Sequence, residues 1–216
     1  MEFSTFFYVF IFLISNSILN CLCTSKVLYP YVTCGSVIKL VNNNYNARLH
    51  SHDVKYGSGS GQQSVTATED KEDSNSYWSV LGKNGDHCTR GQPIKCGSVV
   101  RLRHLASNKN LHSHLFSSPL SGNQEVSAFG KAGEGDTGDD WTVTCSEEHW
   151  ERDVNVRFKH VDTEMWLSTS GRSYGRPISG QLEVVGVSRP DSSSYWQTAE
   201  GIYIKPMDKD IIHDEL

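Results

Sequence analysis

Gly35-Ser36-Val37-Ile38-Lys39-Leu40 returns further along the chain as Gly97-Ser98-Val99-Val100-Arg101-Leu102, and this recurrence decides the fold. The phase is kept: Arg48-Leu49-His50-Ser51-His52 reappears at the same spacing as Asn110-Leu111-His112-Ser113-His114. A weaker third copy runs through Asn155-Val156-Arg157-Phe158-Lys159-His160 and then Trp166-Leu167-Ser168-Thr169. Each unit continues into a Gln/Glu-Val segment: Gln63-Ser64-Val65, Gln124-Glu125-Val126, Leu182-Glu183-Val184. Each closes on an aromatic, at Tyr77-Trp78, Trp141 and Tyr195-Trp196. Within a unit the hydrophobic period is two, as in Val100 and Leu102 against Arg101 and Arg103, which marks half-buried strands. Turn formers such as Asn42-Asn43-Asn44, Gly57-Ser58-Gly59-Ser60-Gly61 and Ser118-Pro119 punctuate them. About four strands per unit give about twelve strands of ordinary length. Units this short cannot each bury a face alone, so the pattern predicts an all-β β-trefoil, three motifs sharing one core about a pseudo-threefold axis. A three-bladed propeller falls below the usual blade count. Trp78, Trp141 and Trp196 stand at equivalent places and are expected in the core rather than stacked on carbohydrate.

The chain has 216 residues and a formal net charge of −5, with 37% hydrophobic residues and six cysteines. A domain of this length hides roughly 70% of its unfolded surface, so a full core is affordable. The negative balance argues against nucleic-acid binding, which needs a basic face. The one dense apolar run, Phe6 to Ile14, is too short to span a bilayer and fits the h-region of a secretory signal peptide over residues 1–23. The chain ends His213-Asp214-Glu215-Leu216, which reads as an endoplasmic reticulum retrieval signal on an exposed 204–216 tail. Signal peptide, retrieval signal and no membrane insertion together predict residence in the lumen of the endoplasmic reticulum, with the retrieval receptor as one partner.

Cys21 and Cys23 would leave with the signal, so Cys34, Cys88, Cys96 and Cys145 remain. An even number in an oxidising lumen favours two disulfides, with three connectivities available. Cys88 and Cys96 enclose a short loop with Gly91 and Pro93 and are expected to pair, leaving Cys34 with Cys145. Zinc is the alternative, but the chain has no CxxC spacing.

His50-Ser51-His52 and His112-Ser113-His114 are the residues that draw chemical interest. Positions i and i+2 of a strand share a face, so each pair could share a metal. The third unit offers Ser168-Thr169-Ser170 instead, which removes the third ligand of a symmetric centre. Two further readings stand beside the metal one: histidines that bond backbone carbonyls locally, and a surface recognition loop. For the loop reading the candidates are Arg48, His50, His52, His112 and His114. Gly57 to Gly61 leads into a strand, without the lysine and helix a phosphate cradle needs. No G-x-S-x-G elbow is present. The acid clusters near Glu69 to Asp73 and Glu134 to Asp140 sit among turn formers and are expected to be solvated loops. No N-x-S/T glycan acceptor occurs. Neither a catalytic set nor a cofactor site is expected.

Taken together, the Gly-Ser-Val-Ile-Lys-Leu strand, Arg48 to Asp53, Tyr56 to Gln63, Ser74 to Trp78, Leu111 to His114 and the ending Glu200 to Pro206 resemble the MIR-motif proteins. Within them the chain is most similar to the stromal cell-derived factor 2 group. The resemblance covers nearly the whole mature chain. It implies a β-trefoil of three MIR motifs near 31–85, 93–148 and 149–203. It also implies work in lumenal protein quality control, bound to a J-domain co-chaperone and the BiP chaperone and holding non-native clients. A lectin-like binder of O-mannosyl glycans is the alternative. An enzyme is not expected, because the transferases that carry these motifs keep catalysis in membrane segments.

Overall fold

The computed structural model describes residues 29–206, so the signal segment and the His213 to Leu216 signal lie outside the described residues. Twelve strands follow one another in three runs of four. The first run is β1 (Val37–Asn42), β2 (Ala47–Lys55), β3 (Gln63–Thr68) and β4 (Trp78–Gly82). The second is β5 (Val99–His104), β6 (Asn110–Ser117), β7 (Gln124–Phe129) and β8 (Trp141–Thr144). The third is β9 (Arg157–His160), β10 (Trp166–Ser173), β11 (Leu182–Val187) and β12 (Trp196–Ile202). A single 3-10 turn precedes each closing strand, at Ser74–Ser76, Thr137–Asp139 and Ser192–Ser194.

Pairing separates these strands into a barrel and a cap. The first and last strands of the units form the ring β1-β4-β5-β8-β9, and β12 pairs with β1. The Val156–Trp196 bridge closes the ring between the third unit's own ends. The middle strands form three hairpins, and β3, β7 and β11 pair with one another in a triangle over the barrel. This is the β-trefoil that the repeats predict.

The core repeats with the sequence. Ile38, Val100 and Val156 form one layer, and Leu40, Leu102 and Phe158 the next, all buried. Leu49, Leu111 and Leu167 come from the hairpins. The three unit-closing tryptophans are fully buried, and each indole N–H donates to a carbonyl of this leucine trio: Trp78 to Leu49 (2.9 Å), Trp141 to Leu111 (2.9 Å) and Trp196 to Leu167 (3.0 Å). The polar atom of a large apolar side chain is thereby satisfied in the interior. Truncating any of them to alanine costs about 3–5 kcal/mol.

The far end of the barrel is closed by a device that the repeats did not announce. Val32 N–H donates to Trp150 O (2.8 Å), Trp150 N–H to Ile94 O (2.8 Å), and Ile94 N–H to Val32 O (3.0 Å). Three backbone segments thus plug the end in a cyclic triangle, with all three side chains buried.

The disulfides correct the expected pairing. Cys34 joins Cys88 and Cys96 joins Cys145, not Cys88 with Cys96 and Cys34 with Cys145. Strand register accounts for the second bridge. β5 and β8 pair Val99 with Thr142, and extending that register by three residues sets Cys96 opposite Cys145. In the first unit the same extension from the Val37–Ser79 pair sets Cys34 opposite Gly82, and Cys88 comes back to Cys34 through the loop that follows Gly82. Each bridge therefore ties the entry of a unit to its exit. In the third unit the guanidinium of Arg152 lies 3.7 Å over the Tyr203 ring and ties entry to exit there.

Candidate functional site

The two His-Ser-His segments lie on β2 and β6, where the pleat aims alternate side chains to one side. In each, the first histidine is buried and the second is half-buried. His50 Nδ1 donates to Asp73 Oδ2 at 2.7 Å. That fixes the tautomer: His50 Nε2 is an acceptor, and His52 Nδ1 donates to it at 2.8 Å. The relay leaves His52 Nε2 as a lone pair that is buried without a hydrogen-bond partner. Burial, followed by the neighbouring His50, lowers the His52 pKa and keeps the ring neutral. For Asp73, burial alone would raise the pKa, but the Ser76 hydroxyl and His50 overcome it and hold the carboxyl below its usual range.

The second cluster is built differently. His112 Nδ1 donates to the buried Asp139 Oδ1 at 2.9 Å, and Asp136 Oδ1 stands 3.6 Å away. His114 lies edge-on to His112 and places Nε2 3.6 Å from the buried Glu125. Burial and then His112 lower its pKa. Ligand atoms of His112, Asp136 and Asp139 fall within 4.8 Å of one another, a set suited by type to a divalent cation. Their lone pairs are committed, however. Asp139 Oδ2 accepts from Asn110 Nδ2 and the Asp136 N–H, and Asp136 Oδ1 accepts from the Gly138 N–H. This is the capping network of the Thr137–Asp139 turn, with His112 locked into it.

The sequence candidates therefore divide. Arg48 is buried and held by Glu200 (3.1 Å) and the Asn46 carbonyl (3.2 Å), so it faces the molecule's interior. His50 and His112 anchor turns through carboxylates rather than through backbone carbonyls. The carbonyl role belongs to two histidines that the reading passed over. His104 and His160 each stack on a core tryptophan and hydrogen-bond a turn carbonyl, at Asn75 (2.8 Å) and Gly138 (2.8 Å). Glu125 and Glu183 were also passed over. Both are fully buried and each tethers the hairpin loop of the preceding unit. Glu125 accepts from Ser60, and Glu183 accepts from the N–H groups of Leu120 (2.8 Å) and Ser121 (3.2 Å). Gly59 has φ +67° and a Cβ there would overlap Glu125 Oε2, so only glycine serves. Strand alternation places these carboxylates, but nothing in the sequence announces their partners.

What faces outward is a groove of about 440 Å³ between β6, the Thr137–Asp139 turn and the β9–β10 turn. His112, His114, Asp136 and Asp162 supply its polar lining. At its rim Leu115 is 87% exposed and Phe116 48% exposed, with Phe116 packed edge-on against His114 at 4.6 Å. The Asp73–His50 pair ends on a second imidazole, since His50 Nε2 accepts from His52 Nδ1. The arrangement offers a surface with an apolar edge beside two imidazoles.

The MIR domain family matches residues 39–185. Human stromal cell-derived factor 2 is 62% identical over 81% of this chain and 83% of its own length. The chain belongs to the MIR family. Among solved structures, the crystal structure of the SDF2-like protein from Arabidopsis thaliana aligns with a TM-score of 0.80 and 44% identity, covering 82% of this chain and 99% of that one. A Saccharomyces cerevisiae protein O-mannosyltransferase complex bound to the sugar donor aligns with a TM-score of 0.71 and 27% identity, covering 86% of this chain and 29% of that one. With respect to the membrane, no described helix is long and apolar enough to cross one.

Proposed function

We propose that this MIR protein is a non-enzymatic accessory of folding and quality control in the lumen of the endoplasmic reticulum. It binds a J-domain co-chaperone and BiP, and holds non-native clients along the β6 groove. The observation that carries the reading is the exposed Leu115–Phe116 edge beside the buried His112–Asp139 anchor. Apolar side chains held out on a rigid strand favour contact with the apolar segments that unfolded chains expose. Likeness to stromal cell-derived factor 2 supports the assignment, as do the apolar leader and the His213 to Leu216 ending.

The test is aggregation of a denatured client in the presence of this protein and its J-domain partner. Wild type is expected to slow aggregation, and Leu115→Ser/Phe116→Ser to lose most of that effect with an unchanged melting temperature. Equal protection by both proteins would refute the site. A second reading, binding of O-mannosyl glycans on clients, is favoured by the likeness to the mannosyltransferase's MIR region. It expects saturable binding to a mannosylated peptide and little to its bare counterpart. Equal affinity for the two would exclude it.

A further inference from the structure

A second groove, of about 370 Å³, lies on the seam between the first two units, where Gln63 of β3 pairs with Ala128 of β7. Three lysines ring it: Lys55 at the end of β2, Lys109 in the turn before β6, and Lys131 just after β7. Lys55 and Lys131 are exposed and Lys109 is half-buried. No carboxylate lines the groove. None of the described ion pairs engages any of the three ammonium groups. In a chain of net charge −5, three cations line one concavity that no carboxylate lines, with Glu134 across the bridge from Lys131 as the acid beside it, and together they make a local positive field against the overall sign. The floor is apolar, formed by Ala128 and Phe129, and Phe129 is braced by the His112 ring at 4.6 Å.

An independent observation comes from Gln63. Its side chain is buried, and its Nε2 is spent on the Ser51 (2.8 Å) and Ser107 (2.9 Å) hydroxyls. Its Oε1 has no hydrogen-bond partner, although buried amide oxygens are nearly always paired. Gln63 lines this same groove. The site thus combines positive charge at the rim with an apolar floor, and the unpaired Gln63 oxygen lies buried behind it.

We propose that this groove docks an extended acidic peptide segment of a partner protein. Acidic side chains meet Lys55, Lys109 and Lys131, and an apolar side chain rests on Phe129. This surface is separate from the Leu115–Phe116 edge and stands whether or not that edge holds clients.

The experiment measures fluorescence anisotropy of a labelled peptide of alternating Glu and Leu, beside the same peptide with Gln for Glu. The full protein should bind the Glu peptide, weakening as salt rises, and bind the Gln peptide at least tenfold less well. Exposed charge pairs correspond to about two- to fivefold each, so Lys55→Ser/Lys109→Ser/Lys131→Ser should lose roughly tenfold or more. Lys131→Ser alone, at an exposed position that cannot threaten folding, should lose about two- to fivefold. The Leu115→Ser/Phe116→Ser protein should bind as wild type does. Undiminished binding by both lysine variants, or equal binding of the Glu and Gln peptides, would overturn the proposal. So would lysine-dependent binding to vesicles of anionic lipid without binding to the peptide.

Discussion

His104 should make this protein acid-sensitive, and the chain itself supplies the control. His104 Nε2 donates to the Asn75 carbonyl, so its Nδ1 is the acceptor, facing the Ser107 hydroxyl at 2.8 Å and the Ser107 N–H at 3.3 Å. A second proton on Nδ1 would confront that N–H in a site where burial has removed the water that would solvate the charge. Burial is the leading cause of a pKa lowered to about 4, against 6.5 for the free side chain, with His50 and His52 adding to it. The folded state therefore binds fewer protons than the unfolded chain between these values. Stability is complete above pH 6.5 and falls as the pH drops toward 4. Integrating the two titrations, His104 alone removes about 2 kcal/mol by pH 5 and about 3 kcal/mol by pH 4. Asn42 occupies the equivalent place in the first unit, where its Nδ2 donates to the Ser193 carbonyl at 2.6 Å without titrating. His104→Asn should lose some stability at pH 7.5, because the ring stacked on Trp78 at 5.0 Å is gone. Its loss of stability on going from pH 7.5 to pH 5 should be about 2 kcal/mol smaller than that of wild type. Urea unfolding at the two pH values measures both. An unchanged pH dependence in His104→Asn would refute the assignment of the acid-labile site.

Three further outcomes are expected. Each disulfide closes a loop with ends 54 and 49 residues apart, so Cys34→Ala/Cys88→Ala or Cys96→Ala/Cys145→Ala should each cost about 4 kcal/mol on the loop-entropy account; peptide mapping without reduction should recover the two within-unit pairs. Gly138→Ala adds a Cβ that overlaps the His112 Cε1 and lies 2.9 Å from Nδ1, so the ring must leave Asp139. The cost of a buried carboxylate losing one donor is about 1–3 kcal/mol, read by thermal melting and by the His112 imidazole resonances. Removing His213 to Leu216 should release a folded protein into the medium, and retention at wild-type level would show that partners hold it instead.

The parts of this molecule that sequence revealed are those that each unit repeats locally. Gly-Ser-Val strands, the leucine before each His-Ser-His position and the closing tryptophans all recur in phase, so the trefoil and its core follow from the chain alone. The disulfides do not follow from loop length, because the two ends of each unit, and not the short Cys88–Cys96 segment, bring their cysteines together. Cys34 and Cys96 both stand directly before a Gly-Ser-Val strand, and each bonds the cysteine that follows the closing strand of its own unit. Strand register sets Cys145 opposite Cys96, whereas Cys88 lies six residues beyond Gly82, the register partner of Cys34, so the repeat encodes only one of the two bridges. The histidine anchors failed for another reason. His50 reaches Asp73 and His112 reaches Asp139 across the chain, and in one unit the carboxylate precedes the turn while in the other it closes it. No fixed spacing encodes a partner that changes position between copies.

Where the copies differ, the molecule has been freed from its fold. The barrel needs three tryptophans and three leucines, and it has them. It does not need histidine at the hairpin positions, since Ser168 and Ser170 occupy them in the third unit, with Ser170 donating to Glu183 at 2.7 Å. Nor does it need a lysine-ringed seam: Gln63 and Gln124 stand at matching positions in the first two units, whereas Leu182 takes that position in the third. Gln124 Nε2 bonds Ser113 and Thr163 just as Gln63 Nε2 bonds Ser51 and Ser107, so this amide bridge belongs to the fold. A stability role would be shared by equivalent positions, because the same geometry sets the same demand. The lysine-lined seam and the outward Leu115 and Phe116 are each confined to one place. Such departures from internal symmetry are what recognition of an asymmetric partner would select.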